Sequence, residues 1–190
     1  VTDSAGRLPG REAILLAAGR AFAKRPYAEV TVRAIAADAG VSPTLVIKRF
    51  GSKEGLFNAV ADFAPAADEL FDGDLAHLGR HLVITVVRMR RERLRDPLLR
   101  VVFSLGDSDE RTLLRTRFRE QVTDRLAGRL SGTNPRLRAE LVAGQLLGLG
   151  ATLALHRPDG ATEQSTPEQI ADLYAPGLQN LIDADGSLDS

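Results

Sequence analysis

The sequence predicts an all-α protein: a three-helix module near the N-terminus followed by a larger helical body. Three observations carry that expectation. Apolar residues recur at spacings of three and four along most of the chain. Sustained alternating runs bounded by hairpin turns, the mark of strands, do not occur in it. Ser or Thr at the start and Gly or Pro at the end punctuate the periodic segments. With 190 residues and 44% hydrophobic content, the chain can build a substantial core in one or two compact units.

Residues 1–10 are polar and contain Gly and Pro, so a flexible arm is expected there. A first helix follows from about Arg11 to Lys24, with Ile14, Leu15, Ala18, Ala21 and Phe22 on one face, and Pro26 stops it. Thr31 suits the N-cap of a second helix whose apolar stripe is Val32, Ile35, Ala36 and Ala39. Gly40 suits its left-handed end. Ser42 caps a third helix with Pro43 in its first turn, running to about Phe50. Ser52 and Glu54 open a fourth helix carrying Leu56, Phe57, Val60 and Phe63, which Pro65 interrupts or kinks. Further helices are expected near 74–94, 97–105, 108–130, 135–156 and 167–183. Asp96-Pro97, Gly106, Gly132, a polar loop from Arg157 to Pro167, and Gly186 separate or end them. The domain reading is an arm at 1–10, a first module at 11–55, a body at 56–186 and a tail at 187–190.

The stretch from Thr31 to Glu54 has the pattern of a helix-turn-helix. Ala36 and Ala39 are small enough for two short helices to cross closely, and Gly40 makes the turn. Val41, Val46 and Phe50 are expected to anchor the second helix of the pair against the first and against Phe22 and Ile14. Pro43, Thr44, Ile47 and Lys48 are left facing outward, where such a helix enters the roughly 12 Å major groove of B-DNA. Charge agrees with that use. The chain is neutral, with 25 basic and 25 acidic residues. Residues 1–60 nevertheless hold nine Lys or Arg against five Asp or Glu, and the remainder 16 against 20. A basic module on an acidic body suits a protein that meets phosphate at one end.

At these residues the sequence resembles the TetR family of transcriptional regulators, whose N-terminal modules read Ala-Gly-Val-Ser, a short recognition helix, then Ser-Lys-Glu. Here these stand as Ala39-Gly40-Val41-Ser42 and Ser52-Lys53-Glu54, preceded by Ile35-Ala36. Leu146-Leu147-Gly148-Leu149 and Ala175-Pro176-Gly177-Leu178 also resemble the last two helices of some actinobacterial-type members. The resemblance implies a DNA-contact set of Thr31, Arg33, Ser42, Pro43, Thr44, Ile47, Lys48, Arg49 and Lys53. Arg33 and Thr44 would reach bases or the groove edge, and Arg33 can fork onto guanine O6 and N7. Thr31, Lys48, Arg49 and Lys53 would handle phosphates, Lys53 at a helix N-terminus. Two positions depart from the pattern: Ile47 stands where an aromatic is usual and can touch a thymine methyl, and Pro26 replaces a frequent glycine before Tyr27.

One module reads a short site, so the body is expected to supply a twofold partner that spaces two recognition helices about 34–36 Å apart. Gly144, Gly148 and Gly150, with Leu173, Leu178, Leu181 and Ile182, offer a helix-packing face; packing within one chain is the competing account. The resemblance favours a dimeric four-helix bundle and implies an effector pocket among the central helices. Phe63, Leu82, Val86, Met89, Phe103, Leu113 and Phe118 are its candidates, each also explicable as plain core. His77 and His81, with Asp74 a turn earlier, have the spacing of a metal pair, although hydrogen-bonded or solvated histidines explain them more simply. Arg88, Arg90, Arg91, Arg93 and Arg95 crowd one helix end, where the dipole favours cations. A second nucleic-acid site or an acidic-ligand gate is the other reading of that cluster.

Other classes find less support. There is no Cys, so neither a disulfide framework nor a thiolate metal site is available. Gly-x-Ser-x-Gly, phosphate-loop and His-Glu-x-x-His patterns are missing, His156 stands alone, and no enzyme activity or cofactor is expected. No signal segment is evident. The most apolar stretch, Leu141 to Leu155, holds Gln145 and three glycines and falls short of the roughly 20 residues of a membrane span, so a soluble cytoplasmic protein is expected. The expected function is a homodimeric, ligand-responsive repressor on a palindromic operator. By the family's pattern, ligand uptake would rotate the fourth helix and change the separation of the recognition helices. The alternative is a helical small-molecule-binding or interaction protein that does not use DNA.

Overall fold

A computed structural model describes residues 10–91, 109–155 and 160–184. The expected helix at 97–105, and with it Phe103, Arg93, Arg95 and His156, lies outside these residues. The described elements are all helical, and the chain divides into two compact units between Asp62 and Phe63. No helix among the described residues is long and apolar enough to cross a membrane.

The first unit contains α1 (Gly10–Lys24), a 3-10 turn (Tyr27–Glu29), α2 (Val32–Asp38), α3 (Pro43–Phe50) and α4 (Lys53–Val60). Its start signals are those of the sequence. Thr31, Ser42 and Ser52 each accept a hydrogen bond from the backbone N–H three residues on, at 3.1, 3.2 and 2.9 Å. Caps of this kind are typically worth about 1 kcal/mol each. The core joins Ile14, Ala17 and Ala18 of α1, Ile35 and Ala36 of α2, Val46 of α3, and Leu56 and Val60 of α4, with Phe22, Val41 and Phe50 packed against it. Phe22, Tyr27 and Phe57 form an aromatic cluster with ring centroids 5.1–5.7 Å apart. Arg20 of α1 pairs with Asp38 at the end of α2.

The second unit contains α5 (Ala64–Leu70), a 3-10 turn (Leu75–His77), α6 (Leu78–Arg91), α7 (Asp109–Phe118), a π-helical turn (Arg119–Thr123), α8 (Asp124–Ala127), α9 (Pro135–Leu155), α10 (Ala161–Gln164) and α11 (Pro167–Asp183). Pro65, expected to interrupt the fourth helix, instead occupies the first turn of the separate helix α5, where its missing N–H costs nothing. The single helix expected over 108–130 is broken in register by the π-helical turn. A short helix, α10, lies in the stretch expected to be loop.

The second unit is built on α6 lying along α11. They approach closely at Gly79, where a Cβ would come within 2.9 Å of the Gln179 nitrogen and 3.0 Å of the Ala175 carbonyl, so a side chain there would push the helices apart. The Gln179 side chain fastens the crossing, accepting from the Gly79 N–H at 2.8 Å and donating to the Leu75 carbonyl at 2.9 Å. Buried Arg138 of α9 donates to the Ile182 carbonyl at 3.1 Å and to the Ser131 carbonyl, meeting the free carbonyls near the end of α11.

Candidate nucleic-acid interface

The turn between α2 and α3 is a Schellman motif. The Val41 N–H donates to the Ala36 carbonyl at 3.0 Å and the Gly40 N–H to the Ala37 carbonyl at 3.2 Å, with Gly40 at φ +65°. Ser42 then caps α3 at once, so the two helices are joined without slack. Ala36 is fully buried, which allows the close crossing, and Val46 anchors α3 from beneath. Fixing α3 by one face leaves the other free. Pro43, Thr44, Lys48 and Arg49 are exposed, and Ile47 is 43% exposed although it is a large aliphatic residue. With its side chains an α-helix is about 10–12 Å across, which matches the roughly 12 Å width of a major groove.

Thr31 and Arg33 are exposed at the start of α2. Thr31 and Ser42 use an oxygen lone pair in capping, which leaves the hydroxyl proton of each free to donate. Arg33, Lys48 and Arg49 have no carboxylate partner among the described residues. Lys53 differs from the phosphate-facing role assigned to it from the sequence. Its ammonium donates to the Tyr27 carbonyl at 2.8 Å and the Val30 carbonyl at 3.0 Å, and stands 4.1 Å from the centroid of the Tyr27 ring. Two of its three N–H groups are thus committed inside the unit. Nothing in the spacing of Ser52-Lys53-Glu54 announces this, because the partners are main-chain carbonyls 23 and 26 residues away.

In the body, Phe63, Leu82, Val86, Met89 and Phe118 are buried and Leu113 is half-buried. Phe63 and Phe118 meet edge to face at 5.5 Å, and the Phe63 N–H donates to Gln121 Oε1 in the π-helical turn at 2.7 Å. Thr85, one turn of α6 beyond Leu82, is marked by nothing in the sequence. It is completely buried, and its hydroxyl has no hydrogen-bond partner among the described residues.

The expected helix-packing face is partly corrected. Gly144 and Gly148 are exposed, and Leu173 is 90% exposed. Leu178 is fully buried and belongs to the core of its own chain; Leu181 is half-buried. Gly150 is buried too, because six residues past Gly144 the helix has turned about 240°. Leu137 and Leu141 replace them on the exposed face, giving α9 a stripe of Leu137, Leu141, Gly144 and Gly148 at spacings of four, three and four.

Of the histidine pair, His77 is exposed, while His81 Nε2 donates to the Glu69 carbonyl at 2.9 Å. In the arginine cluster, Arg88 pairs with Glu69 at 3.6 Å and Arg91 donates to the Thr162 and Ser165 carbonyls. Burial pushes the Tyr174 phenol up from its ordinary pKa, and its hydroxyl donates to the Gln145 carbonyl at 2.8 Å.

A capped, rigidly joined helix pair with an outward basic and aliphatic face defines a helix-turn-helix DNA-binding module, here followed by a larger helical domain. Family comparison agrees. Residues 14–60 match the model of bacterial regulatory proteins of the tetR family, and residues 76–182 match the tetracyclin repressor-like C-terminal domain. The chain belongs to the TetR family, and its class of function is DNA-binding transcriptional regulation. Among solved structures, a TetR-family regulator from Streptomyces coelicolor A3 is 29% identical, with 93% of this chain and 98% of that one covered at a TM-score of 0.51. The fatty acid degradation regulator FadR from Bacillus halodurans is 15% identical, with 90% and 97% covered at 0.60. AibR, solved with isovaleryl coenzyme A and operator DNA, is 19% identical, with 92% and 98% covered at 0.57. No curated protein sequence matches the chain significantly.

Proposed function

We propose that the protein is a cytoplasmic, ligand-responsive repressor, a homodimer that sets two copies of α3 into successive major grooves of a near-palindromic operator. The observation that carries this reading is the exposed face of α3, where Thr44, Ile47 and Lys48 stand out from a helix held by buried Val46. In the proposed assignment Arg33 forks onto a guanine, Thr44 reaches the groove edge and Ile47 covers a thymine methyl. Thr31, Ser42, Pro43, Lys48 and Arg49 line the backbone and set the register.

The exposed stripe Leu137, Leu141, Gly144 and Gly148, with Leu173 of α11, supports a twofold helix-packing face, since glycines let a partner helix approach and leucines reward it. The body binds the effector. AibR, similar in fold, was captured with both an acyl coenzyme A and operator DNA, which supports a regulator that meets both kinds of partner. For release, the effector must bind the DNA-incompetent state more tightly than the competent one; equal affinity shifts nothing.

The test is selection of bound sites from a random-DNA pool, with Arg33→Ala and Lys48→Ala alongside the parent. A twofold-symmetric site is expected, with Arg33→Ala relaxing one position in each half and Lys48→Ala weakening all sites alike. Enrichment of no sequence even at low salt rejects the reading.

A further inference from the structure

We infer that Arg11, in the first turn of α1, is a further DNA phosphate contact, held ready for that task by the last residue of the recognition helix. The inference rests on the proposed use of α3. The Arg11 guanidinium carbon lies over the Phe50 ring, 5.8 Å from its centroid and within the roughly 6 Å reach of a cation–π contact, so a side chain from α1 meets the end of α3 three residues beyond Ile47. The same end of α1 abuts α3 at a second point: a Cβ on Gly10 would lie 3.9 Å from Leu45 Cδ2.

The other cations of the first unit narrow the choice. Arg20 is paired with Asp38, and Lys53 is committed to two carbonyls. Lys24 and Arg25 lie at the far end of α1, about 20 Å from Arg11 along a fifteen-residue helix. Arg11 is exposed, has no carboxylate partner among the described residues, and is the cation of α1 that contacts the Phe50 ring of α3. Its position does not serve α1 itself, since a cation in the first turn opposes the helix dipole. A ring contact uses none of the guanidinium N–H groups, and those N–H groups are what grip phosphate oxygens.

The test is the salt dependence of binding by the full-length protein to its selected operator and to a mixed-sequence duplex, with thermal unfolding in parallel. Arg11→Gln removes the charge at similar length, and Arg11→Lys keeps the charge but not the planar guanidinium. Arg11→Gln removes one contact from each half of the proposed dimer, so it is expected to weaken binding to both duplexes by roughly a hundredfold at 50 mM salt and to lower the log–log salt slope by about 1.8. The deficit then narrows about 12-fold at 200 mM salt. Arg11→Lys is expected to retain the parental slope. If Arg11→Gln lowers the unfolding temperature while the slope stays parental, Arg11 only staples α1 to α3 and the inference falls alone. If the parent binds neither duplex, the DNA reading itself falls and takes the inference with it.

Discussion

The Lys53 ammonium stands over the Tyr27 ring at 4.1 Å and donates to the Tyr27 carbonyl at 2.8 Å, binding the first residue of α4 to the turn that precedes α2. Tyr27 stacks on Phe22 and meets Phe57 edge-on, so the lysine completes a cluster linking α1, the turn and α4. Replacing Lys53 with Met removes two charge-assisted hydrogen bonds and the ring contact. A loss of about 2 kcal/mol in urea unfolding is expected, with the salt slope of DNA binding unchanged. A slope reduced by about two, one contact from each half of the proposed dimer, at unaltered stability would return Lys53 to the phosphate.

Thr85 lies wholly inside the body, and its hydroxyl has no partner among the described residues. Burying such a group without a bond costs stability, and valine has nearly the same shape without the polar atom. Thr85→Val is therefore expected to stabilise the effector-free protein by about 1 kcal/mol, read as a raised unfolding temperature. A lowered temperature would mean that the hydroxyl is bonded in solution.

The first unit was largely legible in the sequence because its signals are local. A cap and its acceptor are three residues apart, as at Thr31, Ser42 and Ser52, and a left-handed turn needs a residue such as Gly40. The inward turn of Lys53 and the seating of Arg11 on Phe50 were not legible, since each depends on partners more than twenty residues away. In the body, periodicity located α6, α9 and α11 but could not say which apolar face each helix buries. Leu173 and Leu178 illustrate the limit: both are leucines on the last helix, and only packing separates them. The π-helical turn after Phe118 left no mark in the sequence, as the residues around it are ordinary helix formers.

That separation of Leu173 from Leu178 is itself testable. Leu178→Ala opens a cavity in the core and should cost about 3 kcal/mol of unfolding free energy. Leu173→Glu should leave helical content intact while converting the proposed dimer to monomers in analytical ultracentrifugation. Retention of a dimer by Leu173→Glu, and equally by Leu141→Glu, would remove this face from the assembly.

Tyr174 makes one contribution to stability that fades at alkaline pH. Burial raises its pKa above 10.0, and its hydroxyl donates to the Gln145 carbonyl of α9 at 2.8 Å. The folded chain therefore holds this proton to higher pH than the unfolded chain does. The resulting stability is complete below about pH 10 and is lost as pH rises through the folded value. Tyr174→Phe lacks both the bond and the titration, so at pH 8 it should be less stable than the parent by about 1 kcal/mol. Above pH 10 the parent should lose its advantage and the two unfolding curves should converge. Tyr27, the other tyrosine, is present in both proteins, so its titration cancels in the comparison. Urea unfolding of the pair from pH 8 to pH 11 reads this directly: a gap that stays constant across the range would mean that the phenol titrates alike in folded and unfolded chains.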